Sequence, residues 1–526
     1  MKMNNINKVV LCLSFSSSVV ALQSIDDAEL SLIDGRAGIT IESQLHDTST
    51  IGAISYTDAD GDGKGHTDSA GIYLSGISIG ASSVKSKIDV LEDGTLNINI
   101  SDIVQGDVWV RNIAMGDTET SFGAIGVTNF NFDSAGSYNV KFASVDLNAS
   151  GVNQAAIIFD FNMASSSYDF TFVDEAEFSL VGEHELLSGY TISYTTQFSD
   201  FKAEGTTVYA DNSISLDGRE WIRTDLGSIT GSARLENISF GSFDAGIASS
   251  QSVLGSAGFS GINIENTSFV AVSGHGAGGN GMDVKVAVKA NIENFYFETN
   301  GSRANFSNIA IDTDGRGADG SSNVPFDITL DAVNSGFRKG LVLAISNVND
   351  MNLTIRDLYV SKYDKSTDTV SDVATFGTIG LEKINFNGGI AELSFIGRAG
   401  SGNQGVETGF SLPDGTTLDF TINDLEDALG NSVTDPADAV KGGELRASIE
   451  INDFSTESVM DVMALGKDEH GVDQGTGLRI TFKSMEGAFD LRNFSAGNGS
   501  TYKGSYGRIQ VDGMNLKRGY LIVDAL

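Results

Sequence analysis

The sharpest chemical signal in the chain is an acidic run, Asp58-Ala59-Asp60-Gly61-Asp62-Gly63-Lys64-Gly65-His66-Thr67-Asp68. Carboxylates at its first, third and fifth positions, followed by glycine, match the start of an EF-hand or dockerin-type calcium loop. A hard cation needs several oxygens on a tightly turning backbone, and this spacing supplies them through Asp58, Asp60, Asp62 and Asp68. The twelfth position is Ser69, where such a loop wants a bidentate carboxylate, and no helices flank the run. A solvated acidic turn is the alternative reading. Asp312, Asp314 and Asp319 form a weaker second candidate, because Arg316 places a positive charge among them. Calcium is the one cofactor that the sequence suggests.

Other chemistry finds little support. Gly274, Gly276 and Gly279 satisfy the dinucleotide fingerprint in form, but no strand-to-helix turn surrounds them, so a flexible loop explains them better. His46, His66, His184, His275 and His470 are scattered, with no pair at zinc-ligand spacing. Acidic pairs such as Asp174-Glu175, or Glu183 with Glu185, would serve a glycosidase only if they faced each other across a cleft. The one G-x-S-x-G match, Gly76-Ile77-Ser78-Ile79-Gly80, reads as strand alternation rather than as a strand-to-helix elbow. The expectation is a protein that is not an enzyme.

The elements that must position these residues share one pattern: apolar, any, Asn or Asp, apolar, any, apolar. Full copies start at Val110, Val127, Leu235, Ile292, Phe306 and Ile355, and place Asn112, Asn129, Asn237, Asn294, Asn308 and Asp357 at the third position. In a strand, alternate residues share a face, yet the first and fourth positions of the pattern are three apart. A bulge or bend at the Asn returns them to one face. Asn and Asp tolerate left-handed backbone angles, and so does Gly, which replaces them at Gly76 and Gly513. Each copy therefore reads as strand, kink, strand. Degenerate copies surround Asn266, Lys383, Asp453 and Asn493. The spacing between copies is irregular, unlike that of a fixed-period solenoid.

The predicted fold is all-β and elongated, an irregular β-solenoid or stack of bulged hairpins, with tandem β-sandwich modules as the alternative. Helix signals are confined to Ser455–Leu465 and a turn at Asp424–Leu429. Val152–Tyr209, with fewer pattern copies and more aromatics, reads as an inserted hairpin block.

Composition narrows the setting. The chain has 526 residues, a net charge of -37, 62 Gly, 3 Pro and one Cys. An average chain has about 7 per cent Gly, so this excess suits many tight turns. Such acidity repels phosphates and argues against a nucleic-acid partner. Residues 1–21 read as a secretory signal: Lys2 and Lys8, an apolar stretch Val9–Val20, and cleavage after Ala21. Cys12 lies inside this segment, so the exported protein is expected to lack thiols and disulfides. No later stretch is long and apolar enough for a membrane helix. A Gly-rich break at 274–283 separates N-terminal (22–273) and C-terminal (284–526) β-repeat regions.

Asp27–Ile41 and Ile51–Gly61 resemble the start of secreted bacterial proteins of a largely uncharacterised family that includes FilA-type putative pilus-system proteins. That family typically has Gln where Arg36 stands, and the likeness covers about the first eighty residues. The resemblance implies a surface or filament-associated β protein and carries over no catalytic residue. The expected function is a secreted structural or adhesive protein of the cell surface, whose partners are other surface or filament proteins or further copies of itself. The alternative is a carbohydrate-binding protein or carbohydrate-active enzyme, which Trp109 or Trp221 exposed beside paired carboxylates would favour.

Overall fold

The protein was analysed as a computed structural model, which describes residues 39–523 apart from 59–69, 92, 117–122, 133–135, 146–153, 182–183, 211–220, 245–246, 266, 274–281, 300, 313–325, 334–339, 350, 365, 368, 398–404, 424–442, 466–475 and 499–500. The described residues form 27 strands and no helix, and every strand pairing is antiparallel.

The 27 strands reduce to sixteen rows, because most consecutive strands lie end to end against one neighbour. Row 1 joins β1 (Ile39–Leu45) to β2 (Ser49–Asp58), and row 2 joins β3 (Ala70–Ile79) to β4 (Ser82–Val90). Row 3 joins β5 (Leu96–Val104) to β6 (Val108–Gly116), and row 4 joins β7 (Ala124–Phe132) to β8 (Ser137–Val145). Rows 5 and 6 are the unbroken β9 (Gln154–Val181) and β10 (His184–Ala210). Seven split rows follow: β11 (Trp221–Leu226) with β12 (Ser228–Asp244), β13 (Ile247–Ile264) with β14 (Thr267–Ser273), β15 (Met282–Ala287) with β16 (Lys289–Thr299), and β17 (Ser302–Asp312) with β18 (Phe326–Val333). Then come β19 (Gly340–Ser346) with β20 (Met351–Asp364), β21 (Thr369–Asn385) with β22 (Ile390–Gly397), and β23 (Val406–Ser411) with β24 (Thr416–Asn423). Rows 14 to 16 are β25 (Gly443–Ala464), β26 (Thr476–Asn498) and β27 (Thr501–Val523).

Each row pairs with the next, so the whole is one up-and-down meander. At about 4.8 Å between strands, sixteen rows make a ribbon on the order of 75 Å long. The breaks align into a seam along its midline. There Gly80 and Gly106 of adjacent rows touch backbone to backbone, and Gly80 N–H donates to the Asp107 carbonyl at 2.7 Å. A Cβ on Gly106 would collide with the backbone of Gly80 and Ala81. Further along, Val348, Phe386 and Ala391 fill the seam as a small apolar cluster.

The ribbon also turns back on itself. Row 2 lies against rows 10 and 11, row 3 against rows 11 and 12, and rows 6 and 7 against rows 14 and 15. One turn thus takes about eight rows. The largest fully buried side chains are only Val173, Val270, Val462, Thr191 and Thr416. Small residues let successive turns approach closely, which is how dispersion contacts and apolar burial accumulate in a thin interior.

The strand–kink–strand reading holds with one refinement. Asn129, Asn237, Asn308, Lys383, Asp453 and Asn493 all have φ between 50° and 54°, and Gly76 and Gly513 sit at 62° and 65°. Register shifts bracket Asn129, Asn237, Lys383, Asp453 and Asn493. Asp357, opposite Ser307 just before the kinked Asn308, has no positive φ, and neither do Asn112 and Asn294. Asn112 and Asn294 lie opposite Ser75 and Ser260, the residues just before the kinked Gly76 and Gly261. Their amides donate to those hydroxyls, each at 3.3 Å. The pattern therefore serves two roles, the kink and the partner of a kink in the next row. Asp102 (φ 50°) and Asp200 (φ 50°), in Ser-Asp-Ile and Ser-Asp-Phe, are further kinks that the six-residue pattern missed.

Two expectations need correction. Ser455–Leu465 is not a helix: Ser455–Ala464 is the second half of β25, paired by β26 along its length and by β23 over Ser455–Met460. Burial on both faces hid the strand alternation, since Ser458, Val459, Asp461 and Val462 are all buried. Two-sided pairing outweighs helix propensity here. Nor are residues 152–209 an insertion, because β9 and β10 are rows 5 and 6 of the ladder. Their aromatics close a circuit across three rows, Phe130–Phe132–Tyr138–Phe161–Phe201–Phe198–Tyr168, with successive ring centroids 5.3 to 6.5 Å apart. Asp424–Leu429 lies outside the described residues, as do 274–281. The ladder continues across the latter, β13 pairing with β16 and β14 with β15.

Candidate functional site

The two acidic runs start where strands end. Asp58 is the last residue of β2 and Asp312 the last of β17. Asp60, Asp62, Asp68, Asp314 and Asp319 lie outside the described residues, so the structure shows no geometry for either calcium candidate. Among the described residues no cluster of three metal-binding side chains occurs.

A shallow polar groove crosses rows 12 to 15. Lys383, held in its kink, reaches Asp419 at 3.1 Å, and Ser448 donates to the other oxygen of Asp419 at 2.8 Å. Arg492 bridges Glu450 at 2.7 Å and Asp490 at 2.5 Å. Arg508, on β27, grips both oxygens of Asp490 at 2.5 and 2.6 Å. The Arg508 hydrogen bonds, with those from Arg492, hold the Asp490 carboxyl below its ordinary value. These cations are neutralised by neighbouring carboxylates, so the groove presents paired charge rather than a free cation to a ligand. Trp109 does not line it. Its ring lies over Gly126 of the adjacent row, where a Cβ would meet the indole at 2.5 to 2.7 Å.

A second arginine cluster lies nearer the middle of the ribbon. The Arg303 guanidinium sits 3.7 Å above the Tyr363 ring and bonds to the buried Glu298 at 2.6 Å, while Arg234 reaches the same carboxylate at 3.3 Å. This partly buried network of paired charges ties rows 7, 9, 10 and 11.

The least satisfied feature is the last row. β27 runs 23 residues and, among the described residues, pairs only with β26, its other edge meeting no strand. Tyr506 and Tyr520 are 70% and 72% exposed, and Ile509, Val511, Leu516, Leu521 and Ile522 are also exposed. Proteins usually blunt an edge with short strands, prolines or cover. β27 is long, holds no proline and is covered by no described strand. The sequence marked this segment only as a last strand. Which strands are edges follows from row order, and the length of the meander cannot be counted from one pattern with irregular spacing.

A family of unknown function, DUF6160, matches residues 1–105. No curated protein and no solved structure matches the chain. The match covers rows 1 and 2 and the first half of row 3, and leaves the groove and the last row outside it.

Proposed function

We propose that this is a secreted structural or adhesive protein of the cell surface, exported by its N-terminal leader, and that it works through its sheet edges. The open 23-residue edge of β27 is the observation that carries the reading. An unpaired strand offers a row of backbone donors and acceptors to an incoming strand, which makes it a recognition surface without any catalytic group. The all-β meander supports the same role, since it is a scaffold of repeated units with function left to its borders. The test is protease shaving and antibody labelling of intact producing cells. Surface exposure supports the reading, and retention as a soluble periplasmic protein overturns it.

A carbohydrate-binding role is the second reading, favoured by the groove of Lys383, Asp419, Ser448, Glu450 and Arg492. Paired carboxylate and cationic groups match the hydroxyl-rich surface of a glycan, and Phe420 is the aromatic among the described lining residues. Binding to a panel of immobilised polysaccharides, lost in Asp419→Ala, would favour this role over the first.

A further inference from the structure

We infer that copies of this chain join head to tail, the last row of one (β27) adding as a strand to the first row of the next (β1 and β2). The inference rests on the reading of a protein that acts through its edges, and it names the partner: a second copy.

Three observations carry it. The first is direction. Rows alternate, so row 1 runs one way along the ribbon and row 16 the other. A second copy's row 1 laid beside row 16 therefore takes the place of a seventeenth row, antiparallel like every other pair. The even number of rows makes this continuation possible without reversing the sheet.

The second is that both borders are open at once. Among the described residues β1 and β2 pair only with row 2, β27 pairs only with row 15, and the two borders do not pair with each other. Ile39 and Ile41 on β1 are 62% and 42% exposed, an apolar border to match the tyrosines and leucines of β27.

The third is charge. In a chain of net charge -37, β27 is basic: Lys503, Arg508, Lys517 and Arg518 stand against Asp512 alone. Row 1, residues 39–58, carries Glu42, Asp47 and Asp58 and no lysine or arginine. In the continued sheet the placement matches by halves. Lys517 lies in the same half of its row as Glu42, and Lys503 at the same end as Asp58. Like-with-like pairing of two β27 strands would set cation against cation, and two first rows would set anion against anion. The charges that guard each border against its own kind suit it to the other. Such a contact is heterologous, and it builds open filaments unless the rotation per copy closes a ring.

Two measurements on the purified secreted chain test this. Ser43→Cys on β1 and Asn515→Cys on β27 are made as separate variants, mixed, and oxidised gently. Disulfide-linked dimer in the mixture, at several times its yield in either variant alone, is expected. Equal dimer from Asn515→Cys alone would overturn the inference in favour of paired last rows. A linked monomer as the main product of the double variant would overturn it in favour of closure within one chain. The second measurement is mass by light scattering against protein and salt concentration. Assembly is expected to weaken at least tenfold in Lys503→Glu/Lys517→Glu and to return when that variant is mixed with Glu42→Lys/Asp47→Lys. Charge-reversed borders that assemble like the unaltered protein would also overturn it. A monomer that nevertheless labels on intact cells would sink this inference and leave the surface reading standing. Assembly of a protein absent from the surface would do the reverse.

Discussion

Asp174 Oδ2 accepts the backbone N–H of Val462 at 3.2 Å, across 288 residues of chain. Asp174 lies in row 5 and Val462 in row 14, so this bond joins one turn of the ribbon to the next. β23, the partner of β25 on that edge, ends at Val406 opposite Met460. Val462 is two residues further on, where the partner strand has stopped and its N–H faces no row. The other oxygen of Asp174 takes the N–H of Gly405 at 3.2 Å, on the far side of the same gap. A carboxylate from the stacked turn thus completes a ladder that its own row cannot. A buried donor left unpaired costs about 1–3 kcal/mol. Asp174→Ala strands two of them, so a loss of about 2–5 kcal/mol is expected in the unfolding of the stacked turns. Hydrogen exchange should localise it, with the Gly405 and Val462 amides losing protection while those of rows 1 and 2 keep theirs. Unchanged protection at Val462 would show that the turns are held some other way.

The kinks make a sharper test, since their effect lies in the backbone. Asn237 has φ 54° and an exposed side chain, so substitution there reads conformation rather than packing. A β-branched residue in this region costs about 1–2 kcal/mol, and glycine costs little. Asn237→Val should lower the thermal midpoint clearly, and Asn237→Gly should leave it nearly unchanged. The reverse order would mean that the Asn is kept for its side chain. Gly261 (φ 60°) sits in the same region, and a Cβ there would also have to displace the exposed Glu293 side chain of the next row.

These two sites mark what the sequence shows and what it hides. The Asn of Leu235–Phe240 announces its kink because a short chemical rule links Asn to positive φ. All-β architecture follows from the same local alternation. Asp174 announces nothing: it reads as one of 70 acidic residues, and its role depends on which rows stack eight apart. Asp461 misleads for the same reason. It is buried on an interior strand face and held by Arg479 at 2.6 Å, so the local pattern of Ser455–Leu465 imitates a helix. Likewise the open border at β27 is a property of being sixteenth of sixteen. Row count, stacking distance and edge position are global, and a six-residue pattern cannot carry them.

The groove next to the last row should have an acid limit. Arg508, and with it Arg492, lowers the Asp490 carboxyl from an ordinary value of 3.8. A carboxylate depressed in the folded state stabilises the fold above its unfolded pKa. As pH falls, the unfolded chain takes up the proton first, and the stabilisation is lost on the way down through the folded value. The attachment of β27 to β26 should therefore hold at pH 5 and weaken below about 3.8. Arg508→Gln removes the larger cause and should flatten the fall in thermal midpoint between pH 5 and 3. An equally steep fall in that variant would place the acid sensitivity elsewhere.

Calcium is the remaining expectation with chemistry in it. Asp58 closes β2 and Asp312 closes β17, so each acidic run begins at the end of a strand whose row neighbours are fixed. An ion bound there by Asp58, Asp60, Asp62 and Asp68 would link β2 to β3, because the run connects those two strands directly. Anything that binds only the folded state raises stability by mass action, about 2.7 kcal/mol at a hundred times the dissociation constant. Melting in millimolar calcium should then exceed melting in chelator by several degrees. Asp60→Asn/Asp62→Asn should abolish most of that difference, and Asp314→Asn should remove a smaller share, since Arg316 already opposes a cation there. Magnesium serves as the control, because it prefers a rigid octahedral shell and retains its water. If calcium and chelator give the same midpoint, both runs are solvated turns. The acidity of the first border would then act only in meeting the basic last row of a neighbouring copy.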